Sequence, residues 1–178
     1  VINTAKVKPG STVAIFGCGG VGLNIVQGAR MAGATTIIAV DVTQEKLDLA
    51  KKVGATHVIN GATSDPVAMV KEICGGVDYA FEALGRESTI QQAWGTVGVD
   101  GTLILVGLMK NGATITLDAG PFVNEQSIKG CYFGSANLRK DVPALVKSYL
   151  NGELFLDELI SERIGLEGLN SAFDRLRA

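Results

Sequence analysis

Apolar residues gather in six short runs along this chain, and β-branched side chains are frequent in them. The first run ends at a cluster of glycines and the second ends at Asp41. Each is about four to eight residues long, which is the length of a buried strand. The pattern therefore predicts six β-strands. They span Thr12–Phe16, Thr35–Val40, His57–Asn60, Val77–Leu84, Thr102–Gly107 and Ile128–Phe133.

Between these runs, apolar residues recur at the three- and four-residue spacing of amphipathic helices. A first helix is predicted from the glycine cluster to Gly33, and a second from Thr43, its predicted cap, to Gly54. Asp65–Pro66 indicates the start of a third, since proline is favoured in the first helical turn. Other predicted helices lie at Val1–Lys8, which is a helix or its end, around Ile90–Val97, along Val142, Leu145, Val146 and Tyr149, and along Leu166, Leu169, Ala172, Phe173 and Leu176.

Strands that alternate with helices of this length predict an α/β fold, a doubly wound and mostly parallel six-stranded sheet with helices on both faces. No linker or internal repeat interrupts the alternation, so we expect a single domain over residues 1–178. Such sheets bind ligands beyond the carboxyl ends of the strands, where the strand order reverses. Residues predicted at these ends, and expected to line one crevice, are Gly17, Asp41, Leu84–Gly85 and Val106–Gly107.

The glycine cluster after the first strand has the spacing G-x-G-x-x-G at Gly17, Gly19 and Gly22. The first glycine allows a tight turn, the second lets a diphosphate approach the backbone, and the third lets the helix pack closely on the strand. The free amides of the first helical turn would then face the anion. Taken alone, the spacing also fits an ordinary corner between a strand and a helix.

A carboxylate at the end of the second strand favours the ligand-binding interpretation. Asp41 lies 19 positions after Gly22, close to the spacing of roughly 20 at which such a unit places an acid on the adenosine ribose. A lone aspartate after a strand usually caps a turn or a helix. The combination predicts a Rossmann-type domain that binds a dinucleotide.

Composition narrows the class of protein. The formal net charge is −2 and the hydrophobic fraction is 47%, which indicates neither a nucleic-acid partner nor disorder. No apolar stretch approaches the roughly 20 residues of a membrane span, and the first residues do not resemble a signal peptide. The three cysteines, Cys18, Cys74 and Cys131, are odd in number and widely spaced, which is typical of a reducing compartment. We therefore expect a cytoplasmic protein that binds neither nucleic acid nor membranes.

Six motifs carry a family resemblance over almost the whole chain. They are Gly17-Cys18-Gly19-Gly20-Val21-Gly22, Asp41-Val42-Thr43-Gln44-Glu45-Lys46, Gly54-Ala55-Thr56, Asp78-Tyr79-Ala80-Phe81-Glu82, Val106-Gly107 and Lys129-Gly130-Cys131-Tyr132-Phe133-Gly134. With them the chain resembles the coenzyme-binding domain of the zinc-dependent alcohol dehydrogenase (medium-chain dehydrogenase/reductase) family. The resemblance implies an oxidoreductase that uses NAD. The sequence departs from the family pattern at Leu108-Met109, where many relatives have proline.

The resemblance also implies roles for individual residues. Gly20 and Val21 would bind the diphosphate, Asp41 and Lys46 the adenosine ribose, and Val42 and Arg86 would flank the adenine. Backbone groups of Val106, Leu108, Cys131 and Phe133 would lie along the nicotinamide half. From the residues alone, Lys46 and Arg86 also fit solvated surface positions, and Val106 and Phe133 fit an ordinary sheet. The full set of expected cofactor-binding residues is Gly17, Gly19, Gly20, Val21, Gly22, Asp41, Val42, Lys46, Leu84, Arg86, Val106, Leu108, Cys131 and Phe133.

The resemblance implies further parts that this sequence does not contain. Family members carry a preceding catalytic domain that holds the zinc, and residues 160–178 form a tail expected to pack toward it. The chain itself offers only His57 and three scattered cysteines, whereas a catalytic zinc needs about three protein ligands. We expect neither a metal site nor a catalytic residue here, but cofactor binding without turnover and a homodimer joined through the sixth strand.

Other functions remain as alternatives. A regulatory nucleotide-sensing domain would use the same fold without catalysis, and a methyltransferase that uses S-adenosylmethionine would also place an acid after the second strand. Short-chain dehydrogenases need a tyrosine followed by a lysine four positions later. Tyr79, Tyr132 and Tyr149 are followed at that distance by Ala83, Ala136 and Glu153, which excludes this class.

Overall fold

The computed structural model describes residues 1–177, with side chains described as far as Arg175. Its strands are β1 (Thr12–Phe16), β2 (Thr36–Asp41), β3 (His57–Asn60), β4 (Val77–Glu82), β5 (Val97–Leu105) and β6 (Ser127–Gly130). Its α-helices are α1 (Gly20–Met31), α2 (Gln44–Val53), α3 (Pro66–Cys74), α4 (Glu87–Thr96), α5 (Leu138–Leu150) and α6 (Leu169–Arg177).

The six strands form one sheet in the order β3-β2-β1-β4-β5-β6, and all five neighbouring pairs are parallel. The chain builds one half of the sheet outward from β1 and then crosses back to build the other half from β4. The strand order therefore reverses between β1 and β4, and the predicted doubly wound α/β fold is confirmed.

Alternating strand residues supply a separate core on each face of the sheet. Val13 and Ile15 of β1 pack in one cluster with residues of α1 and α2, whereas Ala14 and Phe16 pack in the other with residues of α3 and α4. Successive side chains of a strand point to opposite faces, so a continuous apolar run is what a strand covered on both sides requires.

The prediction of a helix at Val1–Lys8 is wrong. Residues 2–5 form a turn and residues 6–8 have no regular secondary structure, although Ala5 and Val7 are buried against the core. Lys6 has a φ of 56°, which lies in the left-handed region that an α-helix does not contain.

Several predicted strand boundaries are also corrected. β4 ends at Glu82, two residues before the predicted end, and β5 begins at Val97, five residues before the predicted start. The early part of β5 is irregular, since its register with β4 shifts between Val77 and Tyr79. β6 ends at Gly130, so Cys131 and Phe133 lie beyond the strand in which they were predicted.

The tail after α5 is attached to α1 by one fully buried polar side chain. Gln27 Nε2 donates to Phe155 O at 2.9 Å, and Phe155 N donates to Gln27 Oε1 at 2.7 Å. The Arg30 guanidinium lies over the Phe155 ring, 5.5 Å from its centre.

The predicted final helix is present as α6, which begins after Leu166. Within residues 1–177, no helix has both the length and the apolar character that crossing a membrane requires.

Candidate dinucleotide-binding site

Two glycines of the turn between β1 and α1 are required by close contacts. Gly17 has a φ of 96°, and a Cβ atom there would lie 2.8 Å from Leu84 Cγ. A Cβ atom at Gly22 would lie 1.7 Å from the carbonyl oxygen of Gly17. Neither position accepts a side chain, so the turn is tight and α1 packs directly against it.

The two glycines between these positions, Gly19 and Gly20, lie beside open space. A Cβ atom at Gly19 or at Gly20 would have no neighbouring heavy atom within 4 Å. Gly19 caps α1 without a side-chain hydrogen bond, and the first turn of α1 has no acidic residue. The amino end of α1 thus keeps its free amides and its positive dipole for an external anion, and the shape fits a diphosphate.

Asp41 links this turn to the turn after β2. The side chain is only 8% exposed. Its Oδ2 accepts from the Cys18 amide at 2.7 Å, and its Oδ1 accepts from the amides of Val42 at 2.8 Å and Thr43 at 3.0 Å. Thr43, the predicted cap of α2, makes no side-chain capping bond. A carboxylate has about four acceptor positions, so one remains for a ligand hydroxyl.

The thiol of Cys18 is buried inside the turn and is inert. Burial raises the pKa of Cys18 to about 12, and the negative charge of Asp41 acts in the same direction. The positive charge of Lys46 acts in the opposite direction, which puts this exposed lysine of α2 within electrostatic reach of the turn. Cys18 stays protonated at neutral pH because a thiolate there would be desolvated beside a carboxylate.

Glu82, the last residue of β4, was not among the expected site residues. It is fully buried. Its Oε1 accepts from the amides of Leu84 and Gly85 at 3.0 Å and from Thr89 Oγ1 at 2.6 Å, and its Oε2 accepts from the Gly85 amide at 3.0 Å. The signal that could have found it is the one that found Asp41, namely a carboxylate at the carboxyl end of an apolar strand.

The loops after β4 and β5 touch each other beside the turn. A Cβ atom at Gly85 would lie 2.2 Å from Leu108 O, and one at Gly107 would lie 2.1 Å from the Gly85 nitrogen. Leu108 is 94% exposed, and Arg86 is exposed as the capping residue of α4. The structure thus brings Gly17, Leu84, Gly107 and Leu108 together at the carboxyl ends of β1, β4 and β5, with Asp41 joined to this group through Cys18.

The expected residues after β6 lie on a less regular segment. The Cys131 amide donates to Leu105 O at 3.0 Å, and its thiol contacts Thr4 Oγ1 at 3.4 Å. Phe133 is 72% exposed and has a φ of 48°.

A cavity of about 480 Å³ lined by Ser11, Asp78 and Lys129 lies away from the glycine turn, toward the amino ends of the strands.

Comparison with known proteins assigns the family. Residues 20–151 match the family described as zinc-binding dehydrogenase. The chain belongs to this family. The resemblance carried by the sequence motifs is confirmed.

Relatives of this zinc-binding dehydrogenase chain are alcohol dehydrogenases. It is 41% identical over 186 residues to the class-3 alcohol dehydrogenase of Oryza sativa subsp. japonica, and the match covers 99% of the chain and 47% of the relative. Benzyl alcohol dehydrogenase from Acinetobacter calcoaceticus superposes with a TM-score of 0.95 at 38% identity, covering 99% of the chain and 49% of that protein. The chain spans about half the length of the curated relatives it matches.

A third relative bears on the cofactor. A zinc-binding dehydrogenase from Sinorhizobium meliloti, solved bound to NADP, superposes with a TM-score of 0.85 at 30% identity and covers 94% of the chain and 49% of that protein. That relative thus binds a nicotinamide dinucleotide that carries a 2′-phosphate.

The family's name refers to a zinc ion. Among the side chains that the structure describes, no three His, Cys, Asp or Glu side chains lie together as a metal site requires. The described residues therefore do not fit a zinc ion.

Proposed function

We propose that this chain is the NAD-binding half of an alcohol dehydrogenase-like oxidoreductase and that it holds NAD for hydride transfer with an alcohol or aldehyde. The observation that carries the proposal is the open amino end of α1, where Gly19 and Gly20 face empty space and no side chain caps the free amides. A diphosphate has the charge and the shape that this helix end accepts.

The roles proposed for the remaining residues follow from the family resemblance. Asp41 and Lys46 bind the adenosine ribose, and Val42 and Arg86, both exposed, flank the adenine. Gly20 and Val21 bind the diphosphate, and Leu84 lies over the turn at Gly17. Backbone groups of Val106, Leu108, Cys131 and Phe133 line the nicotinamide half.

The proposed cofactor is NAD rather than NADP. Asp41 is a carboxylate at the position where NADP would bring a 2′-phosphate, and Val42 beside it supplies no positive charge. A relative was solved with NADP, so the proposed preference for NAD rests on the residues at the end of β2 in this chain.

We propose a cytoplasmic homodimer whose subunits meet through β6. β6 is an outer strand of the sheet with an open edge, and open edges favour pairing. The cysteines at positions 18, 74 and 131 are all free thiols, which is in keeping with a reducing compartment.

The proposed organisation has residues 1–178 as one cofactor domain whose tail, from 160, packs toward a catalytic domain. α5 has no buried residue, and Leu166, Leu169 and Phe173 of the tail are exposed. Apolar side chains left exposed in this way are suited to a cover from another part of a longer protein.

A matched pair of glycine variants tests the proposal. Gly19→Ala places a methyl group where the diphosphate would lie, without steric conflict in the protein, because the Gly19 φ of −74° suits any residue. Gly168→Ala is the control, since its Cβ atom would meet only the Ile164 side chain, at ordinary contact distances from 3.4 Å. We expect calorimetry to show NADH binding to the unmodified chain and to Gly168→Ala, and binding weakened about tenfold or more in Gly19→Ala. A flat titration of the unmodified chain would contradict the proposed function.

A further inference from the structure

One residue at the carboxyl end of β4 organises both loops that border the crevice. The Glu82 carboxylate accepts from the amides of Leu84 and Gly85 in the loop after β4. The Glu82 carbonyl accepts from the amides of Val106 and Gly107 in the loop after β5, each at 2.9 Å. The side chain and the main chain of one residue thus hold two loops that are more than 20 positions apart.

The Glu82 side chain is a charge taken out of water. A buried carboxylate is tolerated where hydrogen bonds replace its hydration. Here the donors are two loop amides and the Thr89 hydroxyl in the first turn of α4, where the helix dipole also favours a negative charge. An apolar residue would fill the same space without these contacts, so the acid is not explained by packing alone.

The Leu84–Gly85 loop is in direct contact with the glycine turn between β1 and α1. Leu84 covers Gly17 so closely that a Cβ atom on Gly17 would lie 2.8 Å from Leu84 Cγ. Leu84 is nevertheless 43% exposed, so the residue that covers the turn is also accessible from solvent. Moving the Leu84–Gly85 loop would therefore change the wall of the crevice beside the glycine turn.

We propose that Glu82 is a positioning residue for the dinucleotide: its buried carboxylate holds the Leu84–Gly85 loop against Gly17, so that the crevice has its binding shape before the cofactor arrives. The proposal rests on the proposed function of NAD binding. Preformed sites bind more tightly because less ordering accompanies binding. Glu82 acts through Leu84 and Gly85 and touches no reacting atom.

Two substitutions at Glu82 separate hydrogen bonding from packing. Glu82→Met has similar length but leaves the Leu84, Gly85 and Thr89 donors without an acceptor. Glu82→Gln retains an oxygen at the Oε1 position, which accepts from all three, and loses only the second contact of the Gly85 amide, the one to Oε2. We expect NADH to bind about tenfold or more weakly to Glu82→Met and within about threefold of the unmodified chain for Glu82→Gln.

Asp78→Asn is the control for a general loss of stability. Asp78 is a carboxylate on the same strand, and its Oδ2 accepts from the Thr12 amide at 2.7 Å and the Thr12 hydroxyl at 2.9 Å at the amino end of the sheet. We expect this variant to unfold at lower temperature yet bind NADH with unchanged affinity. The unfolding midpoint of every variant is measured first. The Kd values are then measured by calorimetry at one temperature that lies below the lowest of these midpoints.

If Glu82→Met does not fold, Thr89→Val decides the question, because it removes only the 2.6 Å contact to Glu82 and a contact to Arg86 O. We then expect NADH binding about threefold weaker than in the unmodified chain. Unchanged NADH affinity in folded Glu82→Met, or in Thr89→Val where the former is unfolded, overturns the positioning role, as does an equal loss of affinity in Asp78→Asn. No binding to the unmodified chain would instead overturn the proposed function.

Discussion

At the scale of single residues, Asp41 combines structural and proposed ligand-binding roles. Its carboxylate accepts hydrogen bonds from three backbone amides, one in the glycine turn and two in the turn after β2. Removal of the side chain would therefore release the glycine turn. Substitutions that test cofactor choice should therefore remove the charge of Asp41 but keep its size.

The double variant Asp41→Asn, Val42→Arg tests the preference for NAD. Asparagine retains an acceptor for the Val42 and Thr43 amides but not for the Cys18 amide, a loss that affects both cofactors alike. Arginine at the exposed position 42 supplies a partner for a 2′-phosphate. A pair of unit charges at about 4 Å interacts by about 4 kcal/mol at an effective dielectric constant near 20. Solvent reduces this energy, so we expect the NADPH to NADH affinity ratio to rise by about tenfold, or 1.4 kcal/mol.

Calorimetric titration of both cofactors measures this ratio. Val42→Arg alone is the control, because it adds the positive charge and leaves the Asp41 hydrogen bonds in place; it should still prefer NADH. Equal affinities for NADH and NADPH in the unmodified chain would show that Asp41 does not select the cofactor.

The buried thiol of Cys18 predicts a loss of stability in alkali. Its pKa is raised by burial from 9.0 to about 12, so the folded state favours the protonated thiol. The resulting stabilisation is complete below pH 9 and is lost as the pH rises towards 12. In this range the thiol contributes a slope approaching about 1.4 kcal/mol per pH unit to the free energy of unfolding.

Cys18→Ser removes this titration and keeps a donor for Val40 O, to which the thiol donates at 3.7 Å. Urea unfolding at about pH 8 and about pH 10.5 should show a smaller loss of stability for the variant than for the unmodified chain. Parallel pH dependences in the two proteins would mean that Cys18 ionises as readily in the folded state as in the unfolded one.

At the scale of elements, α1 is held at both ends while its first turn stays open. Gly22 packs against Gly17 at the amino end, and Gln27 and Arg30 hold the tail near the carboxyl end. These contacts fix the direction in which the free amides of the helix point. The helix is therefore oriented toward the crevice before any anion binds.

The proposed dimer through β6 depends on which amides of this strand face outward. The Cys131 amide donates to Leu105 O, and amides of a parallel strand alternate between its two sides. The amide of Lys129 therefore also faces β5, whereas those of Ile128 and Gly130 face the open edge.

Gly130→Pro removes an outward amide without breaking the pairing with β5, since a proline lacks the donor. We expect the dimer to dissociate to monomers in analytical ultracentrifugation. Gly130→Ala keeps the amide and should remain dimeric. A monomeric unmodified chain, or an intact dimer of the proline variant, would contradict pairing through β6.

At the scale of the whole molecule, the described residues contain no metal-ligand cluster beside the proposed cofactor site. We expect the 178-residue chain to bind NADH but not to oxidise primary alcohols, with or without added Zn²⁺. Saturation with NADH at about 100 times its Kd should stabilise the folded chain by about 2.7 kcal/mol, which thermal unfolding measures. Zinc-dependent formation of NADH from NAD and an alcohol would contradict the prediction.

Much of this architecture was predictable because it depends on residues that are close together in the sequence. An apolar run such as Val13 to Phe16 must be covered on both faces, and glycines at Gly17 and Gly22 permit contacts that a Cβ atom would prevent. The alternation of strands and helices then leaves few arrangements other than a parallel sheet. For the same reason, a reversal of strand order was predictable, and it lies between β1 and β4.

The remaining features depend on hydrogen bonds made in the folded chain. β4 stops at Glu82 because its carboxylate engages the next loop amides, and Asp41 meets Cys18 across 23 positions of sequence. Local periodicity carries no information on such pairings, which form only when strands from distant segments align. The sequence by itself determined the sheet, its glycine turn and the carboxylate at the end of β2, whereas tertiary structure decided which amides the buried carboxylates of Asp41 and Glu82 engage, since burial leaves each of them only the partners that the fold brings near.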